Sequence, residues 1–378
     1  MKQGWEYKKF ETCINKTPKP KQVKTEDYNS GTKYPIVSQE DKLISGYYDD
    51  ESYVFHIDSP VVIFGDHTRV LKYVDFDFVV GADGVKIISP KQDLNAKFLL
   101  YYLQWYKIPN LGYSRHYKLL KELNIPLPPK TTQLAIVSEL DKINELIRLK
   151  KEQLKDLDKL AQSIFYEMFG DPVENNREWT IQHLGDLCDK ISNGYNAKLE
   201  EDTYKSEGIM YFRCQNVWRN HFDYSDLVYI DENTNQKMKS SSLKHNDFLI
   251  TKIGRINTEN SSLGRVSLYE GEDDKANLSG NLCFARLKQG AAVHKFILYI
   301  LISNQFRNYI RRTTVGGIDK RALNVRQISS FPIISPPLPL QHLFAHRVEQ
   351  IEHQKSEVQK AITDLETLLA SRMQYWFE

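Results

Sequence analysis

Apolar residues recur at alternating steps of four and three positions along a stretch that follows Pro128-Pro129. In this heptad spacing, the first and fourth positions of each repeat form one apolar seam along a helix. The stretch predicts a helix from Gln133 to Phe169, roughly 55 Å long at about 1.5 Å per residue, ended by Gly170-Asp171-Pro172. The seam, with one polar member, consists of Ile136, Leu140, Ile143, Ile147, Lys150, Leu154, Leu157, Ala161, Ile164 and Met168.

A second copy of the pattern lies 208 positions further along the chain. Pro336-Pro337 opens it, Gln341 corresponds to Gln133, and the apolar spacing predicts a helix over Leu340–Phe377. The second seam consists of Phe344, Val348, Ile351, Lys355, Val358, Ile362, Leu365, Leu369 and Trp376.

The two predicted helices are expected to pair antiparallel, because the chain must run out along one and return along the other. The aromatic residues Tyr375, Trp376 and Phe377 would then pack against the first globular segment, near Trp5. Lys150 and Lys355 can extend their ammonium groups out of the seam, and a lone polar seam residue disfavours slipped registers.

The segment before the first helix predicts a mixed, strand-rich domain. Its short apolar or β-branched runs are separated by glycines that indicate turns. A helix is predicted over Asn95–Trp105, with Asp93 or Asn95 as its N-cap, and Ile125–Pro129 must be extended. The predicted strands cover Tyr34–Val37, Tyr53–Ile57, Val61–Phe64 and Phe76–Val80.

The segment between the two helices repeats this order of elements. Trp179–Leu184 repeats the Trp5–Phe10 spacing, a helix is predicted over Val293–Ser303, and an extended Phe331-Pro332-Ile333 precedes the second long helix. Strands are predicted over Gly208–Arg213, Leu227–Ile230, Asp247–Lys252, Leu263–Tyr269 and Leu282–Leu287. The chain is therefore interpreted as an internal duplication, with domains over residues 1–127 and 173–333 and helical segments over residues 128–172 and 334–378. The predicted fold class is α+β: two similar strand-rich domains separated by two long helices in an antiparallel coiled coil, with pseudo-two-fold symmetry.

Composition narrows the class of protein only a little. A hydrophobic content of 41%, a charged content of 26% and a net charge of +2 are those of a globular protein, and they neither demand nor exclude nucleic acid. The four cysteines are scattered, and the N-terminus has no apolar signal segment, so we expect a cytoplasmic protein without disulfides or structural zinc. The apolar run near Phe296–Ile302 is too short to cross a membrane.

Catalytic motifs are missing from the sequence. It has no phosphate-binding G-x-x-x-x-G-K-[ST] loop, and Ser335-Pro336-Pro337-Leu338 lacks the aromatic residue that an adenine methyltransferase needs against a flipped base. Asp66-His67 has neither a nucleophile nor a metal cluster nearby, and Glu272–Lys275 is interpreted as a solvated turn. We therefore predict no catalytic residue, no metal site and no cofactor in this chain.

DNA recognition is better supported, because Arg, Lys, Asn and Gln side chains offer donors to phosphates and to base edges in the major groove. Such residues cluster between predicted strands in both domains, although each also has an alternative interpretation as a charged surface residue without a ligand. The candidates in the first domain are His67, Arg69, Lys72, Arg115, His116, Tyr117 and Lys118. Those in the second domain are Arg213, Gln215, Asn216, Trp218, Arg219, Lys252, Arg255, Asn257, Arg311, Arg312, Lys320 and Arg321.

Taken together, the sequence resembles the specificity subunits of type I restriction–modification systems over essentially its whole length. The resemblance rests on the duplicated arrangement and on the motifs Ile125–Pro129 with Gln133, Phe165–Pro172, Pro336-Pro337 with Gln341, Phe64–Arg69 and Val80–Val85. It implies two target-recognition domains, each reading one half of a bipartite site in double-stranded DNA. It also implies helices that set the gap between the half-sites; a rod of roughly 55 Å exceeds one DNA turn of about 34–36 Å.

The same resemblance implies a non-catalytic chain with catalytic partners. The helices would dock methyltransferase (modification) subunits, and restriction/translocase subunits would join the complex. S-adenosylmethionine, ATP and Mg²⁺ would be bound by those partner subunits rather than by this chain.

Two other interpretations remain open from the sequence alone. The helices could form a homodimeric coiled coil in an interaction or scaffold protein, with domains that bind protein. Alternatively, the chain could be the recognition half of a fused restriction–methylation enzyme, although it contains no cofactor-binding methyltransferase segment.

Overall fold

The computed structural model describes residue 2 and residues 4–378, apart from residues 113, 196–202, 259, 315 and 318. The chain divides into two compact units, each built from helices and strands. Unit 1 consists of Met1–Gln153 with Val358–Glu378, and unit 2 consists of Leu154–Glu357. Both long helices pass from one unit to the other, so each unit contains one part of each helix.

The elements up to and including the first long helix lie in the order β1-α1-β2-β3-β4-β5-β6-β7-β8-α2-α3-β9-α4. The strands are β1 (Glu6–Lys9), β2 (Tyr34–Val37), β3 (Gly46–Tyr48), β4 (Val54–Phe55), β5 (Val61–Gly65), β6 (Leu71–Val74), β7 (Phe78–Val80), β8 (Val85–Ile88) and β9 (Asn124–Leu127). The helices are α1 (Phe10–Cys13), α2 (Ala96–Tyr106), α3 (Tyr117–Lys121) and α4 (Lys130–Phe169).

The second part of the chain adds eleven strands and six α-helices among the described residues. The strands are β10 (Ile181–His183), β11 (Cys188–Asn193), β12 (Ile209–Phe212), β13 (Val228–Ile230), β14 (Phe248–Thr251), β15 (Ile253–Arg255), β16 (Val266–Leu268), β17 (Ala276–Leu278), β18 (Leu282–Leu287), β19 (Lys320–Ala322) and β20 (Pro332–Ile334). The helices are α5 (Leu184–Leu187), α6 (Glu232–Lys237), α7 (His294–Ile302), α8 (Asn304–Thr313), α9 (Val325–Ser329) and α10 (Leu338–Phe377).

The strands of unit 1 form a four-stranded sheet, β3-β2-β7-β4, and a three-stranded sheet, β6-β5-β8, while β1 pairs with β9. β5 is buried along its whole length, because its sequence Val-Val-Ile-Phe-Gly presents apolar or small residues on both faces. In unit 2 the sheet β13-β12-β17 corresponds to β3-β2-β7, because β12 and β17 pair in parallel as β2 and β7 do. The sheet β11-β18-β14-β16 corresponds to the three-stranded sheet with one strand added, while β10 pairs with β20 and β15 with β19.

The predicted duplication is confirmed by the order of elements. In each unit an early strand pairs antiparallel with the strand that precedes the long helix, with Glu6 opposite Leu127 in one unit and Ile181 opposite Ile334 in the other. Each unit also has a buried helix, α2 or α7, and then a five-residue helix, α3 or α9. Unit 2 departs from unit 1 by the insertion of α8 and β19 between these two helices.

The matching glutamines of the two copies have the same structural role. Gln133 is buried; its Nε2 donates to the carbonyls of Asp93 (2.8 Å) and Pro128 (2.9 Å), and its Oε1 accepts from the Asn95 N–H at 2.8 Å. Asn95 itself caps α2 by accepting from the N–H of Phe98, as predicted.

Gln341 makes the equivalent set of hydrogen bonds in unit 2, and we call each set a glutamine clamp. Its Nε2 donates to the carbonyl of Pro336 at 2.8 Å, and its Oε1 accepts from the Val293 N–H at 3.0 Å. A single buried amide thus joins the Pro-Pro turn to the start of the neighbouring helix in each copy, and it satisfies backbone groups that would otherwise be unpaired.

The two long helices pair antiparallel within unit 1, as predicted. Arg372 of α10 donates to both carboxylate oxygens of Glu139 in α4, and Lys151 pairs with Glu366 at 2.8 Å, so rising numbers in one helix meet falling numbers in the other. The Arg372 hydrogen bond is the main cause that lowers the pKa of Glu139. The helices therefore carry a charged flank beside their apolar seam.

The end of α10 completes the core of unit 1. Phe377 is buried and lies 5.5 Å from Phe98, 5.7 Å from Tyr102 and 6.0 Å from Trp105, measured between ring centroids. The predicted packing of the terminal aromatic residues is thus confirmed for Phe377 and for the partly buried Trp376, whereas Tyr375 is 58% exposed.

The helices also pair antiparallel within unit 2. The rings of Phe165 and Phe169 in α4 lie 5.4 and 5.5 Å from that of Phe344 in α10, and the Phe169 ring is 4.8 Å from Phe296 of α7. The seam residue Lys355 bonds to Asp158 with its ammonium group outside the apolar contact.

The structure differs from the sequence prediction at several points in the helices. α4 begins at Lys130, directly after Pro129, and α10 begins at Leu338, so both begin earlier than predicted. The first turn of α10 contains Pro339, which is tolerated there because its missing N–H costs no hydrogen bond. α8 was not predicted; Ser303 caps it, and Phe306 and Ile310 are its buried residues. No helix in the described part of the chain is long and apolar enough to span a membrane.

We predict that Gln133→Ala loosens the start of α2. The substitution leaves the Asn95 N–H and two carbonyls without their partner, and a buried group left unsatisfied costs about 1–3 kcal/mol. Amide hydrogen exchange of Asn95 should become faster and the urea midpoint should fall. Gln162→Ala, at an exposed position of α4, is the matched control, and equal behaviour of both variants would contradict the clamp.

Candidate nucleic-acid interface

The candidates of unit 1 lie around the turn between β5 and β6 and the segment that precedes α3. Asp66, only 2% exposed, holds these two pieces together: its Oδ1 accepts from the Tyr117 N–H at 2.7 Å, and its carbonyl accepts from the His116 N–H at 2.9 Å. The β7–β8 turn joins them, because the Asp66 N–H donates to the carbonyl of Gly84 at 2.7 Å. His67 is half-buried in the same group of turns.

Two of the predicted residues in unit 1 are buried and engaged within the protein. His116 accepts at Nε2 from the Leu111 N–H, so its Nδ1–H must donate to the carbonyl of Asp66. Lys72, 6% exposed, donates to the carbonyls of Ser38 and Lys42, and burial lowers the pKa of its ammonium group. Both side chains support the turns rather than face solvent.

The other candidates of unit 1 are more accessible. Arg115 and Lys118 are exposed, and Arg115 lies 3.7 Å from the exposed carboxylate of Asp83. Arg69 occupies a left-handed conformation (φ 63°) and donates to the carbonyl of Ile108. The half-buried ring of Tyr117 has Lys86 above it at 5.8 Å.

A cleft of about 640 Å³ lies beside this group and contains further basic residues that the site prediction missed. The basic stretch Lys16–Lys24 was visible in the sequence, but only the fold brings its first part next to Arg115. The cationic residues that line the cleft are Lys16, Lys19, Lys86, Arg115 and Lys121.

In unit 2, three predicted residues converge on one carboxylate that the prediction did not include. Asp226 accepts from Asn216 Nδ2 (2.7 Å) at one oxygen and from Gln215 Nε2 (2.9 Å) and Arg213 Nη2 (3.3 Å) at the other. Asn216 is fully buried, Arg213 is half-buried, and Gln215 is exposed. Of the three, Gln215 is therefore the one that presents its side chain to solvent.

A second group in unit 2 concentrates positive charge around a tryptophan. The guanidinium of Arg265 stacks 3.8 Å from the centre of the Trp218 ring, and Trp218 donates from Nε1 to the carbonyl of Gln215. Burial together with a neighbouring arginine lowers the pKa of both Arg265 (beside Arg219) and Arg219 (beside Arg311). Like charges held this close favour a polyanion nearby.

The remaining candidates lie on or next to the β15–β19 ribbon and α8. Arg255 is exposed and pairs with Asp319 at 3.3 Å, and Asn257 and Lys320 are also exposed. Arg321 donates to the carbonyls of Arg311 and Thr314, which ties the ribbon to the end of α8.

Arg312 and Lys252 complete the set. Arg312 is exposed in the last turn of α8. Lys252 donates to Asn193 Oδ1 at 2.7 Å, and burial lowers the pKa of its ammonium group.

Part of this surface, including Arg255 and Lys320 of the β15–β19 ribbon, lines a cleft of about 750 Å³ in unit 2. Its lining combines cations, an aromatic ring, amides and two carboxylates, which are residue types that suit phosphate and base contacts. The charged, amide and aromatic side chains in it are those of Gln215, Trp218, Asp223, Asp226, Arg255, Asn260, Arg265, Asn281 and Lys320. Arg265 was missed because it lies in a run that predicts a strand, and only the tertiary fold places it under Trp218. In the described part of the chain no group of three or more His, Cys, Asp or Glu side chains is arranged to hold a metal ion.

The fold and these surfaces define a class of protein: two related α+β units on long paired helices, each with a basic, amide-rich surface. The type I restriction modification DNA specificity domain family matches residues 2–159 and 176–367. Because the two matches together cover most of the chain, the chain belongs to this family.

Named relatives agree with this family. The chain is 24% identical over 265 residues to the type I restriction enzyme MjaIX specificity subunit of Methanocaldococcus jannaschii, covering 66% of this chain and 58% of the relative. It is 24% identical over 223 residues to the EcoR124I/EcoR124II specificity subunit of Escherichia coli, covering 56% and 54%. The matched region thus spans about half the length of these relatives.

A solved structure has the same fold. The type I restriction–modification S subunit from M. genitalium superposes with a TM-score of 0.57 at 15% identity, covering 99% of this chain and 96% of that one. The predicted fold class of two strand-rich domains with long helices is confirmed.

We predict that Arg255→Gln and Lys320→Gln weaken DNA binding equally on all sequences and reduce its salt dependence. Removing one phosphate contact should lower the slope of log K against log salt concentration by about 0.9. The measurement is a titration of DNA with the protein, in the assembly that binds DNA, at several salt concentrations. Lys288→Gln is the control. Lys288 follows the end of β18, whereas the cleft residue Asn281 precedes its start. An equal loss of affinity in this variant would show that only the net charge of the protein matters.

Proposed function

We propose that this chain is the DNA-recognition subunit of a type I restriction–modification complex, with each unit reading one half of a bipartite site. The single observation that carries the proposal is the duplication: two units of the same design each bear a cluster of Arg, Lys and amide side chains on turns. Turns on a rigid scaffold are where recognition residues are usually found. A protein with two such readers suits a site in two parts.

The long helices would set the distance between the two half-sites. Each is a continuous helix of 40 residues, which at about 1.5 Å per residue is roughly 60 Å long. The apolar seam gives the pair stiffness, so the base pairs between the half-sites would be spanned without being read.

The helices would also dock the modification subunits. Several leucines lie outside the apolar seam and are close to half exposed, so apolar surface remains available for a partner. In unit 1 these are Leu134, Leu146, Leu149 and Leu368, and in unit 2 Leu160 and Leu343. Exposed charge pairs such as Arg148 with Glu145 and Glu152 interrupt the leucines and would give the contact specificity.

We further propose that this chain has no catalytic role. S-adenosylmethionine would be bound by the modification subunits, and ATP and Mg²⁺ by restriction/translocase subunits that join the same complex. Such a complex would act on DNA in the cytoplasm.

The function is tested by mapping methylated bases in a host with and without this gene, in the presence of its neighbouring modification gene. We expect a two-part methylated motif with an unspecified gap, present only when the gene is present. A single continuous motif, or methylation that does not depend on the gene, would contradict the proposal. The purified chain alone should methylate and cleave nothing.

The spacing role is tested by removing one heptad from each helix, residues 150–156 and 357–363. Seven residues shorten a helix by about 10 Å, so the gap in the methylated motif should shrink by up to about three base pairs. Both half-sites should persist, because the seam keeps its phase when a whole heptad is removed. An unchanged gap, or loss of both half-sites in a complex that still assembles, would contradict a ruler function.

A further inference from the structure

The amide of Gln215, in the lining of the unit 2 cleft, is held in one orientation. Its Nε2 donates to Asp226 Oδ2 at 2.9 Å, and the reverse orientation would place the amide oxygen against a carboxylate. Gln215 lies in the short turn Cys214–Asn216 directly after β12, and the turn is fixed because buried Asn216 bonds to Asp226 and to the carbonyl of Asp223. An exposed glutamine is usually free to rotate, whereas this one is anchored.

The anchoring leaves a defined pair of groups for a ligand. One N–H of Nε2 is used by Asp226, which leaves one N–H and the acceptor Oε1 for a ligand. An amide in this state matches the major-groove edge of adenine, where N6–H donates and N7 accepts. Guanine presents two acceptors on that edge and does not match it.

The charges of the cleft indicate which part of DNA lies against Gln215. Asp223 and Asp226 lie beside Gln215, whereas the exposed cations Arg255 and Lys320 belong to another part of the lining, the β15–β19 ribbon. Arg213 is paired with Asp226 and offsets part of the negative charge beside Gln215, whereas the exposed cations of the ribbon attract phosphate. A neutral base edge is therefore the part of DNA that fits against Gln215.

We propose that Gln215 reads an adenine in the half-site recognised by unit 2, and that Asp226 is a positioning residue that fixes the reading amide. This inference rests on the proposed DNA-recognition function and adds to it the residue and the base. Arg213 and Asn216, which were candidates for contact with DNA, instead act through Asp226.

The first experiment compares methylated motifs made by complexes containing the wild-type chain, Gln215→Ala or Gln236→Ala. Gln236 is the matched control: it is also exposed and donates from Nε2 to a carboxylate, Glu232, but on α6. We expect Gln215→Ala to relax one A·T position of one half-site, with a loss of about 5- to 150-fold in discrimination there. The other half-site, the gap and the Gln236→Ala motif should stay unchanged.

The second experiment tests the contact itself with modified DNA. Replacing the adenine at the relaxed position by 7-deazaadenine removes the N7 acceptor and should weaken binding of the wild-type complex. The Gln215→Ala complex should bind the two DNAs equally, because it no longer makes that contact. Asp226→Asn should lower the preference for adenine without lowering overall affinity, since it removes a negative charge and frees the amide to rotate.

The outcomes separate this inference from the function on which it rests. If the wild-type complex produces no two-part motif, the proposed function fails. If it does, but no position depends on residue 215, or the position that relaxes is a G·C pair, only the assignment of Gln215 is overturned. Sensitivity of the Gln215→Ala complex to 7-deazaadenine would likewise overturn it.

Discussion

The burial of one apolar seam between two helices that are distant in sequence is the constraint on which this structure depends. Each unit needs a part of both helices: Ile136 and Leu140 of α4 belong to the same core as Phe377 of α10, and Phe165 and Phe169 pack against Phe344. Because the seam is apolar, its burial supplies most of the stability of the pairing, while ion pairs such as Arg372–Glu139 mainly select the antiparallel register. The strand-rich parts are then held by the helix ends through the glutamine clamps.

In the candidate interface, some polar residues support the turns and others face solvent. Buried groups such as Asp66 and Asn216 hold turns in place, and their neighbours Arg115 and Gln215 are left exposed. The same residue types therefore serve two purposes within a few positions of each other. A side chain that contacts DNA needs such support, because a flexible loop would lose conformational entropy on binding.

The scaffold could be predicted well from the sequence, and the details of the site could not. The heptad spacing and the duplication are repeats that can be read directly along the chain. Strands such as β2 and β18 could be predicted because their apolar runs are local patterns in the sequence. The supporting roles of Lys72, His116 and Asn216 depend on contacts between residues far apart in sequence, so a list of basic and amide residues could not separate them from exposed ones. Arg265 and Asp226 were missed for the same reason. Helix α8 was missed because its apolar positions are few, although Ser303 is a regular N-cap.

Unit 1 is discontinuous in sequence, and this affects the order in which the two units can complete their cores during synthesis. All residues of unit 2 precede Val358, whereas the core of unit 1 still lacks the segment that carries Phe377 when unit 2 has been synthesised. A nascent chain would thus expose Phe98 and Tyr102 on its first domain until the last turns of α10 leave the ribosome. Unit 2 can therefore complete its core during synthesis before unit 1 does, and until then the first domain is where a chaperone would find apolar surface.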